Sequence, residues 1–168
     1  FIHENPQYKN ELITLLTNID IGLCGVDIQE SSSQEAELNE TQVHYLPFGV
    51  HRTLDKEFTL PFYLESSGTQ SAFVLLADLI PVLKNGGIAI IDELDNDLHP
   101  YLIPYITDLF KHSATNQFDA QLIFSCHTPE ILNHLFKHQV YLVEKNNQMS
   151  TAWRLDQVSG VRTDDNLY

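Results

Sequence analysis

Two adjacent carboxylates, Asp92 and Glu93, close the apolar run Ile88-Ala89-Ile90-Ile91. Bounded by Gly86-Gly87 on one side and by charge on the other, that run reads as a fully buried parallel strand. Such a strand delivers its last residues to the carboxyl edge of an open α/β sheet, where ligands bind. Acids placed there are costly unless a metal, a proton or a polar network engages them. Two further segments belong to the same edge. Glu65-Ser66-Ser67-Gly68-Thr69-Gln70 runs into a helix N-terminus, and its hydroxyls, its glycine and the exposed backbone N–H groups make an anion-binding cup. His127 follows a second apolar strand and can hydrogen-bond a phosphoryl oxygen or a water. A carboxylate for a metal, a neighbouring general base and an anion cup are the parts needed for metal-assisted attack of water on a phosphate.

The elements that must position these residues follow from periodicity and punctuation. Leu12, Leu15 and Leu16 stand at helical spacing and predict a helix over residues 7–18. Val26 to Ile28 reads as a short strand, and Gln29 to Glu40, Ser-rich and acidic, as an exposed, mobile connection. Val43 to Phe48 and Phe58 to Leu64 read as strands separated by a turn around His51 to Lys56. An apolar helix runs from about Thr69 to Leu83, with Pro81 near its end and Gly86-Gly87 as its stop. After the Ile88–Ile91 strand, Pro100 suits the first turn of a helix carried on by Tyr101 to His112. Gln121 to Ser125 is the second buried strand. Thr128-Pro129 reads as the cap and first residue of a helix reaching Lys137. Val140 to Glu144 and Ser150 to Leu155 flank Asn146-Asn147 as a hairpin. Strand, helix, strand, helix and hairpin predict an α/β fold with a mainly parallel sheet flanked by helices.

Composition narrows the function classes. The 168 residues, 43% of them hydrophobic, suffice for one domain with its own core. No apolar run approaches the roughly 18 residues that span a bilayer. Cys24 and Cys126 lie far apart with no zinc spacing and read as two reduced thiols of a cytoplasmic protein. With nine Lys and Arg against 23 Asp and Glu, a net charge of −14, direct nucleic-acid contact by this segment is not expected.

Taken together, the motifs resemble an ABC-class ATPase head. Glu65 to Gln70 looks like the signature loop in the variant form of the AAA15 family, whose members are similar to SMC-type and RecF-like heads and include anti-phage ATPases of Septu and retron type. Ile88 to Glu93 is similar to the Walker B strand with its catalytic glutamate, and Leu94 to Pro100 to the D-loop. Leu122-Ile123-Phe124-Ser125-Cys126-His127-Thr128 resembles the strand and switch histidine, and Val161 to Leu167 the family's tail. The resemblance spans about residues 43–168. It implies that Asp92 holds Mg²⁺ through water, that Glu93 polarises the attacking water and that His127 contacts the γ-phosphate of ATP. It also implies that Ser66, Ser67, Gly68 and Gln70 touch ATP held by a second head, so that the protein is a dimer or higher oligomer. Asp95 and His99 would line the dimer interface, His99 standing where many such heads carry Asp. An associated effector, such as a nuclease, would be the further partner, and no membrane is implied.

One element of that class is missing. The phosphate-binding loop reads G-x-x-x-x-G-K-[ST], and none of the seven glycines precedes a lysine. The resemblance therefore predicts the C-terminal half of a head (the C-terminal lobe of a P-loop NTPase), with residues 1–42 as the end of a helical insertion and residues 43–168 as the signature, Walker B, D-loop and switch-histidine half. Two other readings stay open. In one, Asp92, Glu93, Asp95, Asp97 and His99 bind a divalent metal directly in a hydrolase or nuclease; in the other, the segment is a dimerisation module without turnover. Structural roles stand beside each candidate: a solvated strand end for Asp92-Glu93, an ordinary loop for Ser66-Ser67-Gly68, an exposed side chain for His127, and a capping cluster for Asp95, Asp97 and His99.

Overall fold

The computed structural model describes residues 4–19, 22–35 and 40–159. They form two compact units divided between Ser125 and Cys126. The first begins with helix α1 (Pro6–Asn18), started by Asn5, whose side chain accepts from the Gln7 and Tyr8 N–H groups, and by Pro6 in the first turn. Strands β1 (Gly25–Glu35), β2 (Glu40–Arg52) and β3 (Glu57–Pro61) make an antiparallel sheet in that order. A 3₁₀ turn over Phe62–Leu64 leads into α2 (Ser67–Asn85), followed by β4 (Ile88–Ile91), α3 (Leu102–Lys111) and β5 (Gln121–Phe124).

The helical core is built from residues at i, i+3 and i+4 on each helix. Leu12, Leu15 and Leu16 of α1, Leu76, Leu79, Ile80 and Leu83 of α2, and Ile103 and Ile106 of α3 are all buried. Polar tethers fix the helices: Lys84 pairs with Glu11 at 3.1 Å, Asn85 Nδ2 donates to Tyr8 Oη, and the Tyr105 hydroxyl donates to the Leu15 carbonyl. Burial raises the pKa of that Tyr105 hydroxyl, with Glu11 adding to the effect. α2 ends at Gly86, at φ +76°, where a Cβ would come within 2.9 Å of the Phe118 carbonyl. Asn116, buried in the α3–β5 connection, donates to the Phe110 and Ala120 carbonyls and accepts from the Ala120 N–H, so one side chain sets where β5 begins.

β4 and β5 pair in parallel, Ile88 opposite Gln121 and Ile91 opposite Phe124. The α/β class holds, with parallel pairing confined to β4–β5 among the described residues. The expected full burial of β4 does not hold. Ala89 is buried, but Ile88 is 57% and Ile90 78% exposed, and Ile123 on the same face of β5 is 53% exposed. The register puts residues 88, 90, 121 and 123 on one face, which no described residue covers.

Gln29 to Glu35 is strand rather than a mobile connection: β1 continues through it, paired with β2 from Gly25↔Val50 to Glu35↔Glu40. Hairpin pairing overrides the low strand propensity of its Ser, Gln and Glu residues. The expected boundary at residues 42/43 therefore falls inside β2, on one arm of this hairpin. The second unit carries β6 (Tyr141–Asn146) and β7 (Met149–Arg154), whose turn is Asn147-Gln148, both at positive φ, one residue beyond the expected Asn146-Asn147. The helix expected from Pro129 to Lys137 is a 3₁₀ segment over Pro129–His134, with no side-chain cap from Thr128. Val161 to Leu167 lies outside the described residues. No helix among the described residues is long and apolar enough to cross a membrane.

Candidate functional site

β4 ends on Asp92 and Glu93, both exposed, at the carboxyl end of the parallel pair. The neighbouring strand ends on Ser125, which ties the two acids together. Its hydroxyl donates to Asp92 Oδ1 at 2.5 Å and accepts from the Glu93 N–H at 2.8 Å. Its N–H donates to the Ile91 carbonyl, and its carbonyl accepts from Leu94. Glu93 has φ +52°, a left-handed conformation disfavoured for a residue with a Cβ. Residues 94–99 are anchored by buried Leu94 and Leu98 and turned by the Asn96 N–H to Glu93 carbonyl bond and by Asp97 at φ +58°. His99 stacks on Tyr101 with ring centroids 5.2 Å apart and is exposed, while Asp95 is half-buried.

Ser66 is the N-cap of α2: its Oγ accepts from the Thr69 N–H and lies 2.8 Å from Thr69 Oγ1. Ser67 and Gly68 are the first two helical residues, whose N–H groups have no acceptor within a helix. A Cβ at Gly68 would meet only the Asp97 carbonyl, at 3.5 Å, so the fold brings this helix start beside the 94–99 segment. The Gln70 side chain donates back to the Glu65 carbonyl at 2.8 Å, so reaching another molecule requires releasing that bond.

Behind the helix start stands a pair that the sequence reading missed. Glu65 Oε1 lies 2.7 Å from His51 Nε2, with side chains 7% and 19% exposed. His51 Nδ1 faces the Gly22 carbonyl at 3.0 Å and the ring stacks on Phe58. Both ring nitrogens thus meet oxygen atoms, one of a side chain and one of the backbone. No spacing signal links positions 51 and 65, since the turn between β2 and β3 brings them together. Ser125 did carry a signal, as a polar residue closing an apolar strand in the same way Asp92 closes its own. His127, exposed, belongs to the second unit.

Among the described residues no three or more His, Cys, Asp or Glu side chains converge as a metal cage. The expectation that Asp92, Glu93, Asp95, Asp97 and His99 form a direct divalent-metal centre is therefore not met among the described residues. An exposed carboxylate such as Asp92 at a strand end fits Mg²⁺ in the manner that ion favours, with one or two protein carboxylates and the remaining positions filled by water and phosphate.

A strand of a parallel pair that ends on acids, within this α/β arrangement, fits the P-loop NTPase fold class. A family model described as "AAA domain, putative AbiEii toxin, Type IV TA system" matches residues 3–133, and the chain belongs to that family. No curated protein sequence matches it. Its fold is similar to that of an SMC ATPase studied for ATP-driven dimerization and DNA-stimulated activation, with TM-score 0.60, 13% identity, and 92% of this chain covering 87% of that one. It is also similar to an SMC head bound to the C-terminal winged-helix domain of ScpA, with TM-score 0.53, 12% identity, and 89% of this chain covering 43% of that chain.

Proposed function

We propose that this chain supplies the signature and Walker B half of an ABC-type head that binds and hydrolyses ATP at a composite site between two heads. The observation that carries the reading is the acid pair Asp92-Glu93, exposed at the end of a parallel strand and cross-tied to the next strand. The family assignment and the SMC-like fold support it. Asp92 would hold Mg²⁺ through water, and the metal would supply charge neutralisation at the phosphate oxygens. Glu93 would take a proton from the attacking water as ATP becomes ADP and phosphate, and His127 would donate a hydrogen bond to the γ-phosphate. Ser66, Ser67, Gly68 and Gln70 would face ATP held by the second head, with Asp95 and His99 beside the interface.

The phosphate cradle would come from a segment outside these 168 residues. The open face of Ile88, Ile90 and Ile123 supports this, because parallel sheets are covered on both faces. Hydrolysis would gate an associated effector, such as a nuclease, in a cytoplasmic prokaryotic defence system; the toxin–antitoxin description of the family accords with that role. The test is ATP turnover by the complete polypeptide. Glu93→Gln is expected to lower kcat by about 10²-fold or more while nucleotide-dependent association of heads persists. The 168-residue chain alone is expected to show no measurable ATP affinity. Turnover that survives Glu93→Gln, or tight ATP binding by the isolated chain, would refute the reading.

A further inference from the structure

We infer that Ser125 is the positioning residue of the acid pair, setting the conformation of Glu93 and the orientation of the Asp92 carboxylate. In a strand, successive side chains leave on opposite faces, so continued extended backbone would send residues 92 and 93 apart. The chain leaves that alternation at Glu93, whose φ of +52° is unfavourable for a residue with a side chain and persists only where the surroundings hold it. Ser125 does the holding. Its hydroxyl accepts from the Glu93 N–H at 2.8 Å, and its carbonyl accepts from the next N–H, that of Leu94, at 2.9 Å. Its own N–H donates to the Ile91 carbonyl at 3.0 Å, which locks the register of the two strand ends. Both peptides around the left-handed turn are thus bound to one residue of the adjacent strand.

The same hydroxyl donates its proton to Asp92 Oδ1. That bond occupies one side of the carboxylate and fixes its plane, leaving the remaining lone pairs for a hydrated cation. A hydroxyl is the group that accepts from an amide and donates to a carboxylate at once. Alanine does neither, and a cysteine thiol does both weakly. Ser125 is exposed, so its side-chain bonds compete with water and add little to global stability. Their effect falls on geometry, where a displacement of about 1 Å costs on the order of 10²-fold in rate.

This inference rests on the proposed ATP hydrolysis, and the experiment separates the two. The first readout is amide hydrogen exchange in the nucleotide-free complete polypeptide. Ser125→Ala is expected to speed exchange of the Glu93 amide by about tenfold or more, while Ser125→Thr, which keeps the hydroxyl, retains protection. The second is steady-state kinetics: Ser125→Ala is expected to lower kcat by roughly 10–100-fold with KM within about twofold of wild type, and Ser125→Thr to restore kcat. A Tm within about 3 °C of wild type for both variants excludes unfolding as the cause. Unchanged Glu93 exchange in Ser125→Ala, or loss of kcat in Ser125→Thr equal to that in Ser125→Ala, overturns the positioning role. If the exchange result holds but wild-type turnover is absent or survives Glu93→Gln, the proposed hydrolysis fails and the catalytic consequence of the inference fails with it.

Discussion

Gly49 lies in β2 where a side chain would run into the buried carboxylate of Glu65. A Cβ built at Gly49 collides with Glu65 Oε1, stands 3.3 Å from its Cδ, and comes within 2.7 Å of Leu23 Cδ2. The Leu23 methyl is the far end of a flexible side chain and can turn aside. Glu65 cannot move as freely, because the same Oε1 is held 2.7 Å from His51 Nε2 and its side chain is only 7% exposed. In Gly49→Ala the carboxylate must release His51, and leaving a buried carboxylate without that hydrogen bond costs about 3 kcal/mol or somewhat more. Replacing glycine in a strand returns about 0.5–1 kcal/mol through a less flexible unfolded chain. The expected net loss is about 2–4 kcal/mol, a fall in Tm of roughly 5–15 °C for a domain of this size. Urea denaturation followed by circular dichroism measures it. With Glu65 as the obstacle, the same substitution in a Glu65→Ala background should cost less than about 1 kcal/mol, a coupling of about 2–3 kcal/mol. A Gly49→Ala cost below about 1 kcal/mol, or an equal cost in both backgrounds, would refute this reasoning.

Two further outcomes follow from named contacts. Asn116→Ala removes three hydrogen bonds and leaves the Ala120 N–H and two carbonyls unsatisfied in a buried loop; a loss of about 2–4 kcal/mol is expected, read by the shift in the urea midpoint. Ile90→Thr should leave the stability of the 168-residue chain within about 0.5 kcal/mol, since Ile90 is 78% exposed there. In the complete polypeptide it should cost about 1–2 kcal/mol as the covered face loses apolar contact; equal effects in the two proteins would mean that nothing covers this face.

What the sequence determined by itself was local. Apolar residues at helical spacing placed α1 and α2, and the Gly86-Gly87 stop placed the start of β4. The short apolar runs marked β4 and β5, and the abrupt change to carboxylates after Ile91 marked the candidate site, because each of these signals lies within a few neighbouring residues. What only the tertiary structure decided depends on residues distant along the chain. Gln29 to Glu35 carries no strand pattern and becomes strand through the backbone of β2. Ile88 to Ile91 has the same composition whether one face is covered or two, so exposure of Ile88 and Ile90 could not be read from it. The His51–Glu65 pair joins two positions that only the turn between β2 and β3 brings into contact. At the site itself, Asp92 and Glu93 were legible as two acids in a row. Their relation to each other was not, since it depends on a positive φ at Glu93 and on a hydroxyl 32 residues away in sequence, on the neighbouring strand.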